Sequence, residues 1–162
     1  MESTYQNETG EIMSKNDTPN PENKCSHLFE QEVPKLKNPL IDMFSMQLSL
    51  QKRLAETGRG VDYENASNEE CIKDITVQWR NLTLEFSELM ERLPFKEWKT
   101  YNQDQLYQNM TDEQLLEIAY EYADMFHFFM NIGLALGLDG ELLEKLYVTK
   151  NKENFDRQNR GY

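Results

Sequence analysis

Two long stretches of the chain repeat their apolar residues every three or four positions. From Ile72 the series continues through Ile75, Trp79, Leu82, Phe86, Leu89 and Leu93, and from Leu115 through Ile118, Tyr122, Met125, Phe129, Ile132 and Leu136. Spacing of this kind keeps one stripe on one face of an α-helix. The first stretch predicts a helix that opens near Ser67 or Asn68, with acids in its first turn, and stops at Pro94. Thr111 caps the second, with Asp112 and Glu113 in its first turn, and Gly137 ends it. Another helix is predicted from Pro39, a good first-turn residue, to the Gly58-Arg59-Gly60 break, and a last one after Asp139. Trp79 and the phenylalanines read as core. The helix beyond Met125, apolar on nearly every side, reads as central and buried, and Leu142, Leu143, Leu146 and Tyr147 as facing the core. No strand alternation and no internal repeat is visible. The fold class is all-α, a bundle of four to five helices.

Residues 1–37 contrast with the rest. "NETGEIMSKNDTPNPENK" is polar and rich in turn formers, which predicts a flexible N-terminal tail before a domain spanning 38–162. The segment "FKEWKTY" is aromatic and basic, and 102–110 carry no clear pattern. A net charge of -12 argues against a nucleic-acid polymer as partner, since such partners need an extended cationic surface. No secretory leader is evident, and the apolar run Met125–Leu138 is too short for a membrane span, so a cytoplasmic protein is expected. With two cysteines and two histidines a zinc site is not expected.

Carboxylates interrupt this pattern. Glu85 and Glu88 lie three apart on the second helix, as do Glu121 and Asp124 on the third, so each pair shares a face. Glu88 lies further round than Glu85, but Val77 and Leu84 are on its side too, so it need not face water. On the third helix Glu117, Glu121, Asp124, His127 and Asn131 form one polar line along an apolar rod. Solvated acids are the ordinary explanation of one such pair. Two pairs, one of them on a buried helix, call for a cation, because unpaired buried carboxylates are very costly. Hard oxygen donors suit Mg²⁺, with Mn²⁺ possible.

Charge is unevenly distributed. From Lys145 onward five basic residues face two acids, giving +3 here against -15 for all that precedes it. The apolar face of the last helix continues as Lys150, Asn154 and Arg157. C-terminal cations complement a helix dipole, but that gives no reason for Asn151 and Asn154. Lys and Arg match phosphate oxygens, and Asn can read a base or sugar edge.

ExxE followed by ExxD on a second helix resembles the all-α NTP pyrophosphohydrolases, the MazG-like and dimeric dUTPase group. "NPLIDMFSMQLSLQKRLAE", "EYADMFHFFMNIGLALGLD" and "LYVTKNKENFDRQNRGY" resemble its bacteriophage members, including their lack of a helical insert after the third helix. The resemblance covers about residues 38 to 162. It implies that Glu85, Glu88, Glu121 and Asp124 are Mg²⁺ ligands, with Glu85 or Glu88 activating the attacking water. It implies phosphate binding by Lys150, Asn151, Arg157 and Lys99, and a base and sugar pocket containing Gln47, Gln51, Trp98, His127 and Asn154. The implied reaction is hydrolysis of dCTP and dUTP to the monophosphates and pyrophosphate, with attack at the β-phosphorus favoured. Such an enzyme would keep uracil out of phage DNA. Other readings are a MazG-like enzyme acting on purine or modified NTPs, and a non-enzymatic acidic helical interaction protein. Wide apolar faces predict a homodimer under each.

Overall fold

The computed structural model describes residues 33–93 and 110–161. They form four helices: α1 (Pro39–Ala55), α2 (Asn68–Arg92), α3 (Asp112–Ala135) and α4 (Gly140–Asn159), with no strand among the described residues. Most of the expected N-terminal tail and the segment after Leu93, including Trp98 and Lys99, lie outside them.

Local chemistry sets the helix ends. Ser67 and Thr111 accept hydrogen bonds from the backbone N–H of Glu70 and Gln114, whose side chains return to the capping residues' own N–H groups. Such a reciprocal pair satisfies two of the donors that a helix N-terminus leaves open. Asp139 caps α4 through Leu142. Gly137, at φ 76°, makes the left-handed turn that ends α3, a conformation that other residues adopt only with strain.

α2 and α3 form the main pair and run antiparallel: Gln78 bonds Asn131 at one end, and Arg92 reaches Glu117 and Glu121 at the other. α1 lies against α3, and α4 packs against α1 alone among the helices. The α1–α4 contact is tight at its start, since a Cβ on Gly140 would sit 2.6 Å from Ile41 Cα. Only glycine lets the two backbones approach so closely there.

The buried positions correct the sequence-based picture of the core. Among the described residues only Phe44, Leu115 and Met130 are buried apolar side chains, whereas Asp74, Gln78, Glu121, Asn131, Gln47 and Gln51 are buried and polar. Trp79 is 63% exposed and Tyr122 66%. Phe129, Leu136, Leu142, Leu146 and Tyr147 are exposed as well. The cause is an offset of one residue. On α2, Asp74, Gln78, Asn81, Glu85, Glu88 and Arg92 repeat with the same period as the apolar stripe, each one position before a member of it. One residue is about 100° around a helix. Turning the polar stripe toward α3 therefore leaves the apolar stripe on the flank. α4 keeps its apolar face exposed because it meets no helix but α1. No described helix is long and apolar enough to cross a membrane.

Candidate active site between α2 and α3

α2 and α3 bring three of the four carboxylates singled out from the sequence into one cluster. Glu85, Glu88 and Glu121 each offer an oxygen, and these oxygens lie within 4.8 Å of one another. Glu121 is buried, Glu85 half-buried and Glu88 exposed, so the cluster opens to solvent on the Glu88 side. That exposure of Glu88 departs from the sequence expectation, because Val77 and Leu84 beside it are themselves exposed. Asp124 is exposed and falls outside the three-oxygen group, though its charge is felt at Glu85.

Electrostatics mark the cluster as incomplete. Burial, then the negative charges of Glu88, Asp124 and Glu121, raise the pKa of Glu85 above the ordinary carboxylate value. Like charges at this separation disfavour simultaneous ionisation unless a cation is shared among them. The donor set is all carboxylate oxygen, which fits a hard divalent ion and not a soft one.

Arg92, one turn beyond Glu88 on α2, was not among the residues singled out from the sequence. Its Nε and Nη2 both donate to Glu121 Oε1, at 2.8 and 2.7 Å, and its Nη1 donates to Glu117 Oε2 at 2.6 Å. Arg92 thus holds Glu121 through Oε1. Its place on the heptad line Asp74, Gln78, Asn81, Glu85, Glu88, Arg92 was the signal that could have found it.

Two turns along the same interface lies a second polar cluster, three amides and one carboxylate. Gln47 donates to Asn131 Oδ1 at 2.7 Å, Asn131 donates to Gln78 Oε1 at 3.0 Å, and Gln78 donates to both oxygens of Asp74. Tyr63 donates to Asp74 from the α1–α2 connection, and His127 Nδ1 lies 2.7 Å from Gln47 Oε1. Gln47 is buried with both ends of its amide engaged, and Gln51 is buried against Gly60. His127 is exposed and joins the line through Gln47.

The cationic residues of α4 stand apart. Glu153 binds Lys150 at 2.7 Å and also pairs with Arg157, and these cations hold its carboxyl below the ordinary range. Asn151 and Asn154 are exposed on the same helix. Because α4 touches neither α2 nor α3, the structure does not bring these four residues against the carboxylates. Trp98 and Lys99 lie outside the described residues.

Beside the carboxylates, Trp79, Phe86, Tyr122, Phe126 and Phe129 line an open apolar groove of about 610 Å³.

Comparison with known proteins gives this arrangement a context. The chain is 33% identical to a dCTP pyrophosphatase of Enterobacteria phage T4, in a match covering 86% of this chain and 98% of the relative. It is 35% identical to a dCTP pyrophosphatase of Enterobacteria phage LZ5, with the same coverage. A DNA replication protein of phage T4 is 32% identical over 80% of this chain but only 40% of its own length. No solved structure matches the chain. The family described as dUTPase matches residues 39–141 and again 120–162, which together span both carboxylate pairs and the α4 cations. The chain belongs to the dUTPase family.

Proposed function

We propose that this chain hydrolyses dCTP and dUTP to their monophosphates and pyrophosphate, using Mg²⁺ held by Glu85, Glu88, Glu121 and Asp124. The observation that carries the reading is the three-carboxylate cluster between α2 and α3, in a chain that spans nearly the full length of two dCTP pyrophosphatases. A bound divalent ion supplies charge neutralisation for the phosphates and acidifies a water at the site. Glu85, half-buried and with a raised pKa, is suited to take a proton from that water; Glu88 is the other eligible carboxylate. Glu121 is kept in place by Arg92. Lys150, Asn151, Arg157 and Lys99 bind the triphosphate. Glu153 must then yield Lys150 and Arg157 to the phosphate oxygens. Gln47, Gln51, Trp98, His127 and Asn154 surround the base and sugar, with Gln47 acting from within the buried network. The enzyme works in the cytoplasm of the infected host, where it keeps uracil, and with it unmodified cytosine, out of phage DNA.

The working form in this reading is a homodimer. Three buried apolar side chains are a small core for helices of this length, and sixteen large apolar side chains among the described residues are exposed. The groove at Trp79, Phe86 and Tyr122 is the face a second copy would cover.

A nucleotide panel with and without Mg²⁺ tests the activity. Pyrophosphate release from dCTP and dUTP should depend on the metal and collapse in Glu121→Gln while helix content by circular dichroism stays unchanged. Fast turnover of ATP or dGTP with idle pyrimidines, or full activity in that variant, would sink the assignment.

A further inference from the structure

The buried line from Tyr63 to His127 contains three carboxamides in a row: Gln78, Asn131 and Gln47. An amide presents a donor on one side and an acceptor on the other, so a row of amides alone can run in either direction. Asp74 removes that freedom. A carboxylate only accepts, so Gln78 must turn its NH₂ to Asp74 and its carbonyl to Asn131. Asn131 must then donate to Gln78, Gln47 must donate to Asn131, and the carbonyl of Gln47 is left facing His127 Nδ1. A carbonyl 2.7 Å away requires a proton on Nδ1. A neutral imidazole has only one, so Nε2 is a bare acceptor.

The opposite tautomer would set two lone pairs against each other at Gln47. Flipping Gln47 would only pass the clash along the row until it stood as carbonyl against carboxylate at Asp74. Asp74, Gln78, Asn131 and Gln47 are all buried, so water is not at hand to relieve it. Tyr63 supports the same polarity: burial and the adjacent carboxylate raise its pKa, so the phenol remains a donor.

We propose that Asp74 is a positioning residue, which through Gln78, Asn131 and Gln47 fixes His127 as the Nδ1–H tautomer and presents Nε2 to an N–H or O–H donor on the nucleoside. His127 lies three positions after Asp124 and six after Glu121, so the acceptor is within two turns along α3 of the carboxylate cluster. The role of the acceptor rests on the nucleotide reading above; the fixed tautomer does not.

The test is nitrogen-15 NMR of the full chain, at a pH where imidazole is neutral, with His27→Gln used to assign the signals. Wild-type His127 should show the Nδ1–H pattern, although neutral imidazole in water favours Nε2–H. In Asp74→Asn, position 74 can donate as well as accept, so the row can run either way and His127 should become a mixture. Tyr63→Phe removes a bond from the same network but leaves Asp74 acceptor-only, so it should keep the wild-type tautomer. In Asp74→Asn/Gln47→Glu the acceptor-only group moves to the other end, every amide can reverse with its bonds intact, and Nδ1 protonation should return. An Nε2–H pattern in the wild type, or an unchanged tautomer in Asp74→Asn, overturns the proposal. Wild-type NMR alone decides the first point, should Asp74→Asn fail to fold.

Kinetics test the use of the acceptor. KM for dCTP and dUTP should rise about tenfold in Asp74→Asn, with a smaller change in kcat, and stay near the wild-type value in Tyr63→Phe. If the 3′-deoxy nucleotides show no such rise, the donor is the sugar hydroxyl; if they show it equally, the donor is on the base. A shifted tautomer with unchanged KM would overturn the role assigned to Nε2. A wild type that hydrolyses neither nucleotide would instead overturn the proposed activity, with the tautomer still measurable.

Discussion

The interface between α2 and α3 holds two polar clusters that differ in one respect: whether their members satisfy each other. At one end Asp74, Gln78 and Asn131 pair donor with acceptor at every step, and no buried side-chain N or O atom among the described residues lacks a partner. At the other end Glu85, Glu88 and Glu121 crowd acceptors together, and Arg92 engages only one of the three. Both lie on the same heptad lines and between the same helices. A self-satisfied cluster can hold the helices in register and orient side chains. A cluster lacking a positive charge is arranged for something that arrives.

Substitutions at the two ends should therefore have opposite signatures. Asn131→Leu removes the partner of two buried amides, which costs roughly 1–3 kcal/mol for each group left unpaired. A denaturation midpoint reporting a loss of roughly 2–6 kcal/mol is expected. Glu85→Gln removes a like charge, so metal-free stability should change by no more than about 0.5 kcal/mol, or rise. Pyrophosphate release should nevertheless fall on the order of 10²-fold or more, because even the outer-sphere partners of a metal contribute 10–100-fold. A stable Asn131→Leu, or a destabilised Glu85→Gln, would erase the distinction between the ends.

Arg92 is the point where the two behaviours meet. It satisfies Glu117 and one oxygen of Glu121, as in the self-satisfied cluster, yet sits among the acids. Arg92→Gln should weaken Mg²⁺ or Mn²⁺ binding about tenfold in a calorimetric titration, the range for a lost outer-sphere partner. Tighter binding would mean that Arg92 competes with the ion and does not align its ligand.

The smallest effect belongs to Tyr63. Its raised pKa means that its contribution to stability is whole below pH 10.0, the ordinary phenol value, and is lost as pH rises above it. In an absorbance titration, wild type and Tyr63→Phe should ionise the same number of tyrosines until the alkaline transition unfolds the chain. An extra tyrosine titrating in the wild type before unfolding would contradict the burial of that phenol.

The helix boundaries were legible because they rest on local chemistry. Thr111 and Asp139 cap the helices that the sequence predicts they should, α2 opens at Asn68 behind Ser67 within the expected pair, and Pro39 opens α1. That Glu85 and Glu88 share a face of α2 was legible too, since three apart on a helix is a local relation; that Glu121 and not Asp124 brings its oxygen to theirs was not. Which stripe of α2 turns inward was not. Two stripes one residue apart have the same period, so periodicity could not choose between them, and hydrophobicity favoured Trp79 and Phe86 over Gln78 and Glu85. The buried polar stripe is where local rules give way to the demands of a site. Asp74 and Tyr63 escaped notice for a further reason, as their meeting depends on how the α1–α2 connection folds back.

The tight seat of Gly140 on α1 has a mechanical side. α4 is seated at its first residue by a close backbone contact, and α1 is the one described helix that its backbone approaches. It is a lever with its fulcrum at one end. Lys150 and Arg157 lie about 15 and 25 Å along it at 1.5 Å per residue. A tilt of about 10° at the fulcrum would swing the first by roughly 2.6 Å and the second by roughly 4.5 Å. Small adjustments where α1 meets α4 are thus magnified at the end that carries the positive charge.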